Sequence, residues 1–181
     1  TYLVKLSASR SSDQDSAQAA MLLRAIGDFE RIADHASSIL KAAEEMKQKE
    51  IRFTEAASGE LAVMREAVSE IVTLACRAFA EEDVAAASRV EPLEQIIDKL
   101  REQLRRRHIG RLQQGLCTIE AGFVWADLLT DLSRVSDHCS NIAGGVIDLQ
   151  GNSMNIHESL RAIKSDSEAF KALYQDYTAK Y

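Results

Sequence analysis

Apolar residues recur in alternating steps of four and three at Leu22, Ile26, Phe29, Ala33, Ala36, Leu40 and Ala43. This spacing predicts one long helix over about residues 13–48 with a single apolar seam. Ser11 with Gln14, or Ser12 with Asp15, has capping-box spacing for its start. Upstream, Tyr2, Leu3, Val4 and Leu6 precede a polar turn at 7–12 and read as the end of a helix cut part-way along. After a break at 49–54, a second helix is carried by Leu61, Met64, Val68, Ile71, Leu74, Cys76 and Phe79, and the run Glu81, Glu82, Asp83 ends it and caps the next. A third helix is expected from Val84 to about His108, kinked by Pro92, which removes a backbone hydrogen bond. A loop at 109–117, holding Gly110 and Gly115, leads to a fourth helix from Thr118 to about Leu149. Gly151 and Asn152 end that helix, and a shorter, more polar one follows from about His157. No stretch alternates with period two, so the fold class is all-α, without a sheet.

The polar positions repeat as well. DFERIADHASSI at 28–39 returns 103 positions later as DLSRVSDHCSNI at 131–142, with six of twelve residues identical. The identities are Asp28/Asp131, Arg31/Arg134, Asp34/Asp137, His35/His138, Ser37/Ser140 and Ile39/Ile142. A helical core is indifferent to which polar residues line its outer face, so repeated polar identity implies a duplicated unit.

Composition narrows the setting. One proline and eight glycines in 181 residues leave little to break helices. A net charge of −6 argues against nucleic acid. Cys76, Cys117 and Cys139 are odd in number and lack CxxC spacing, so neither a disulfide frame nor a structural zinc site is expected, and a reducing cytoplasm fits best. No apolar run approaches the roughly 18 residues of a membrane span. Cys117, Cys139 and Trp125 read as core residues, and Ser140 and Asn141 as polar contacts between helices.

Carboxylates at helical spacing carry the candidate chemistry. Glu30 and Asp34, and Glu94 and Asp98, are each four apart and project from one face, where they repel unless solvated or bridged by a cation. Oxygen-rich sites of this kind suit hard cations and bundle-bound iron or manganese. His35 and His138 follow the motif aspartates and suit hydrogen bonding at a helix surface, or ligation of a transition metal. Arg105, Arg106, Arg107, His108 and Arg111 form a basic run that suits a phosphate, an acidic partner or lipid headgroups, and equally a helix C-terminus favouring cations. Catalytic signatures are missing: the sequence has no GxSxG, glycine-rich phosphate loop, HExxH or ExxH.

ERIADHA at 30–36 and SRVSDHCSNIA at 133–143 resemble the paired signature of PhoU-like proteins, whose repeats carry an E/DxxxD motif. YLVKLS at 2–7, RRHIGRLQQG at 105–114 and DLLTDLSRVSDHCSNIA at 127–143 are similar to the PhoU-like domain of bacterial sodium/phosphate cotransporter proteins. The resemblance implies two pseudo-repeats of a three-helix bundle with long antiparallel helices, the first truncated at its N-terminus. Residues 1–50 would form the partial first repeat, 51–150 the second and 151–181 a helical extension. It also implies divalent or ferric ions on Glu30, Asp34, Glu94, Asp98 and Asp137, with Asp28, Arg31, His35, Asp131, Arg134, His138 and Asn141 as the polar motif around them. Two departures weaken that implication. Ser133 stands where the second motif should have a glutamate, and the first-repeat equivalents of Glu94 and Asp98 fall before Thr1, so the residues allow a metal without requiring one.

The function expected on this basis is non-catalytic: a cytoplasmic regulatory domain at the inner face of the bacterial membrane, working on a sodium-dependent phosphate transporter in the same polypeptide and forming homo-oligomers. A free-standing PhoU-like adaptor of a phosphate uptake system is the runner-up. A helical-bundle metalloenzyme and a purely structural dimerisation bundle stand behind both.

Overall fold

The computed structural model describes residues 13–150 and 168–181. The expected preceding helix at 2–6, its turn, the capping pairs at 11–15 and the helix expected from His157 fall wholly or partly outside them. Five helices follow one another among the described residues: α1 (Asp13–Gln48), α2 (Glu55–Glu81), α3 (Val84–Gln113), α4 (Ile119–Gln150) and α5 (Glu168–Lys180).

Asp83 caps α3 as expected, and Thr54 and Thr118 cap the helices that follow them. Thr54 accepts from the Ala57 amide at 3.2 Å, Asp83 from Ala86 at 3.0 Å and Thr118 from Ala121 at 3.2 Å, each satisfying an amide that has no partner within its own helix. Glu82 closes α2 in the left-handed conformation. The expected loop at 109–117 is shorter, because α3 continues through Gly110 to Gln113. Gly115, at φ +68°, is where the backbone turns. Helix α3 runs unbroken through the buried Pro92.

Helices α2, α3 and α4 bury one core, with Met64, Ile71, Val90, Leu93, Ile97, Trp125 and Cys139 almost fully enclosed. Cys76, expected on the apolar face of α2, is exposed instead. It precedes Arg77 and follows the buried Leu74 and Ala75, which puts it one step past the core stripe.

Helix α1 lies antiparallel along α4. Gly145 permits this approach, since a Cβ there would meet the Met21 side chain at 3.1 Å. The face that α1 turns to α4 is not its apolar seam. It carries Met21, Ala25, Asp28, Ile32, His35 and Ile39, while the seam residues Ile26 and Leu40 are 53% and 61% exposed. Their counterparts one repeat later, Leu129 and Ala143, are buried in the core. The duplicated helix therefore uses the same seam in two ways.

Helix α5 docks on α3 and α2 through the buried Tyr177 and through Glu70, which accepts hydrogen bonds from Lys180 and from the Tyr181 hydroxyl (2.7 Å) and lies 3.4 Å from Arg89. Burial raises the Glu70 carboxyl, but hydrogen bonds from Lys180 and Tyr181 and the charges of Lys180 and Arg89 outweigh it and hold the group below its usual range. A carboxyl depressed by folding contributes stability above its unfolded value and loses it as pH falls through the folded one. The docking of α5 should therefore weaken as pH falls below the ordinary glutamate range. Hydrogen exchange of residues 168–181 should accelerate relative to α3 under acid, and Glu70→Gln should reproduce the effect at neutral pH; equal protection in all three conditions would contradict the assignment.

Candidate functional site

The duplicated motif folds into a cross-paired network. His35 Nδ1 lies 2.8 Å from Asp131 Oδ1, and His138 Nδ1 lies 2.8 Å from Asp28 Oδ1. Each histidine thus meets the aspartate of the other copy, as antiparallel helices related by a pseudo-two-fold axis require. The imidazoles stack between the helices with centroids 5.8 Å apart and planes 27° apart. A carboxylate accepts, so the Nδ1–H of each ring donates and, in the neutral ring, Nε2 is left as an acceptor. Asn141 adds an amide hydrogen bond to Asp28 at 3.2 Å. The sequence shows the equivalent residues but not this exchange, because both histidines also have acids within their own helix. Only the packing of α1 against α4 shows that each histidine takes the aspartate of the other copy.

The second group lies between α3 and α4. Glu94, Asp98 and Asp137 each place one carboxylate oxygen within 4.8 Å of the others, and all three are partly buried. On α3, Glu91, Glu94 and Asp98 share the face turned to α4. Glu91 is buried and accepts from Ser140 at 2.7 Å. Ser133, at the position of the missing glutamate, donates to Asp98 at 3.2 Å. Arg101 lies 3.3 Å from Asp98, and Arg134 lies 3.0 Å from Asp137. The set is made of hard oxygen donors at roughly the spacing a shared cation needs, and small side-chain rotations would bring them onto one ion. Two guanidiniums offset their repulsion otherwise. The donors therefore fit a divalent or ferric ion.

Glu30 and Asp34 do not join this group. Both are exposed on α1, as is Arg31, and among the described residues neither belongs to a group of three or more metal-ligating side chains. Of the basic run, Arg107 and Arg111 turn to Glu60 on α2, at 3.4 and 2.8 Å. His108 points inward, stacked on Trp125 at 5.2 Å with its ring nitrogen 3.9 Å from the Cys117 sulfur. Burial and the neighbouring Arg111 charge depress its pKa and keep it neutral, against the opposing pull of Glu60. These three are thus structural, and Arg105 and Arg106 remain exposed. Cys139 is confirmed as core: burial, with smaller effects of Cys76 and Asp28, pushes its thiol up to about 12 and leaves it unreactive.

Comparison with known proteins places this arrangement. Residues 61–146, covering most of α2 through α4, match the PhoU domain family. The chain is 31% identical over 147 residues to the phosphate-specific transport system accessory protein PhoU homolog 1 of Thermotoga maritima, covering 81% of this chain and 62% of that protein. It is 29% identical over 133 residues to an uncharacterized protein of Deinococcus radiodurans, covering 73% of this chain and 47% of that one. The chain thus spans about half to three-fifths of the length of these relatives. No solved structure matches it significantly. With an all-helical fold, a duplicated motif and an acidic cluster between α3 and α4, the chain is similar to PhoU proteins, and its match to the PhoU domain covers residues 61–146.

Proposed function

We propose that this chain is an accessory unit of a bacterial phosphate transport system, acting in the cytoplasm by binding and without turnover. The observation that carries the reading is the likeness to a phosphate-transport accessory protein over most of the chain, on a fold whose polar groups are spent on joining helices. His35 and His138 are held by aspartates of the other copy, and His108 and Cys139 are buried. The likeness favours a free-standing adaptor. A regulatory domain fused to a sodium/phosphate cotransporter is the second reading, favoured by the sequence similarity of residues 105–114 and 127–143 to that group. Affinity purification of the tagged protein from phosphate-replete and phosphate-starved cells tests both. A phosphate transporter subunit recovered as a separate chain supports the adaptor, transporter peptides in the same polypeptide support the fused form, and no transporter component in either condition contradicts the proposal.

A divalent or ferric ion on Glu94, Asp98 and Asp137 is part of this proposal. An ion bound only by the folded state stabilises it by about 2.7 kcal/mol at a hundredfold excess over its Kd. Manganese should raise the Tm of the wild type, and Asp98→Asn with Asp137→Asn should abolish that rise. Glu30→Gln with Asp34→Asn should leave it intact. A manganese response unchanged in the first double variant would remove the ion from this cluster.

A further inference from the structure

The tip of the α3–α4 hairpin carries a surface that the motif network does not use. Ile109, Leu116, Ile119 and Phe123 are 46%, 57%, 70% and 68% exposed, four large apolar side chains within fifteen residues in water. On α4, Ile119, Phe123, Ala126 and Thr130 follow heptad steps along the outer stripe that continues to Asp137. On α3, Ile109 and Arg105 share the stripe of Asp98, and the meeting of Asp98 and Asp137 shows that the two stripes lie side by side. Arg106 is one helical turn from Ile109. In a chain of net charge −6, residues 105–120 hold four arginines and one glutamate. Glu60 engages Arg107 and Arg111, which leaves Arg105 and Arg106 exposed, with no ion-pair partner among the described residues and Glu102 the nearest acid behind them on α3.

We propose that this tip docks on an anionic lipid surface, with Phe123, Ile119, Leu116 and Ile109 entering the interface and Arg105 and Arg106 meeting the headgroup phosphates. The chemistry is that of an interfacial anchor, apolar bulk at a convex end flanked by arginines, where shallow apolar insertion and charge attraction add. A helical or peptide partner would call for a groove, whereas these side chains project from the end of a hairpin. The acidic cluster stands clear of the surface, since Asp98 lies eleven residues, roughly 16 Å of helix, behind Ile109. The proposal is independent of the phosphate-transport reading and holds or fails without it.

Flotation of the whole protein with vesicles tests it, comparing phosphatidylcholine alone with phosphatidylcholine containing phosphatidylglycerol. The protein should float with the anionic vesicles, less so as salt rises, and not with the neutral ones. Arg105→Gln with Arg106→Gln should weaken partitioning roughly thirtyfold at low salt, and Ile119→Ser with Phe123→Ser should abolish it. All four positions are exposed, and unchanged circular dichroism and Tm confirm that the variants fold. Absence of flotation with anionic vesicles, or partitioning unchanged in either double variant, overturns the proposal. So does a tip variant that lowers the molar mass in light scattering while leaving partitioning intact, which would make a second copy of the chain the occupant.

Discussion

Replacing Trp125 with alanine should lower the unfolding free energy by about 3–5 kcal/mol. The indole is 1% exposed. Phe53 meets it edge-on at 5.1 Å, His108 stacks on it at 5.2 Å and the Arg111 guanidinium lies 5.4 Å from its centroid. It thus joins the α1–α2 connection, the end of α3 and the start of α4 in one contact. Truncation leaves a cavity that long helices cannot collapse into without sliding, and it strips the neutral imidazole and the cation of an aromatic face. At about 2–4 °C per kcal/mol for a chain of this size, Tm should fall by roughly 6–20 °C. Thermal and urea unfolding followed by circular dichroism measure it. A loss below about 1 kcal/mol would mean that Trp125 is not packed as described.

The second large effect is expected at the cross-paired histidines. Asp28→Ala should destabilise by about 1–3 kcal/mol, because it leaves the part-buried His138 donor without a partner and also removes the acceptor of the exposed Asn141. Asp131→Ala should cost a similar amount by stranding His35. A double-mutant cycle of Asp28→Ala and His138→Ala should give a coupling energy above about 0.5 kcal/mol. The pair Asp28 and His35, both on α1, should give none. Exposed Asp34, identical in the repeat, supplies the contrast, since Asp34→Asn should stay within about 0.5 kcal/mol of the wild type. Coupling within α1 in place of coupling between α1 and α4 would contradict the pseudo-two-fold pairing.

Much of the fold was legible because it rests on local signals. The acidic run ending at Asp83 marks the boundary between α2 and α3, and α1, α2 and α4 fall within a residue or two of the boundaries that periodicity suggests. The end of α3 was misplaced because Gly110 looks like a terminator, yet mid-helix it costs only about 1 kcal/mol, and the positive φ falls on Gly115. Which face of α1 is buried was not legible. Its apolar seam and its polar stripe both have heptad spacing, and the stripe is the one that meets α4, where Asp28 and His35 find cross-repeat partners.

The candidate site was legible in half. Glu94, Asp98 and Asp137 come together because α3 and α4 form an antiparallel hairpin that brings residues of one repeat face to face. Glu30 and Asp34 stay apart because the face they occupy is exposed along α1. The equivalence of the two motifs in sequence says nothing about which copy has a carboxylate-bearing neighbour. That depends on packing alone. Ser133 likewise looks like a lost ligand, whereas its hydroxyl bonds to Asp98 and helps to hold that carboxylate toward Asp137.

The central claim is that this PhoU-like chain adjusts phosphate transport by binding. Its most direct test is radiolabelled phosphate uptake by cells of the source organism with the gene deleted, restored, or restored with the Asp98→Asn and Asp137→Asn variant. The account predicts that deletion changes the uptake rate and its response to external phosphate, that the wild type restores both, and that the variant restores them only in part. Uptake and phosphate response identical with and without the gene would contradict it.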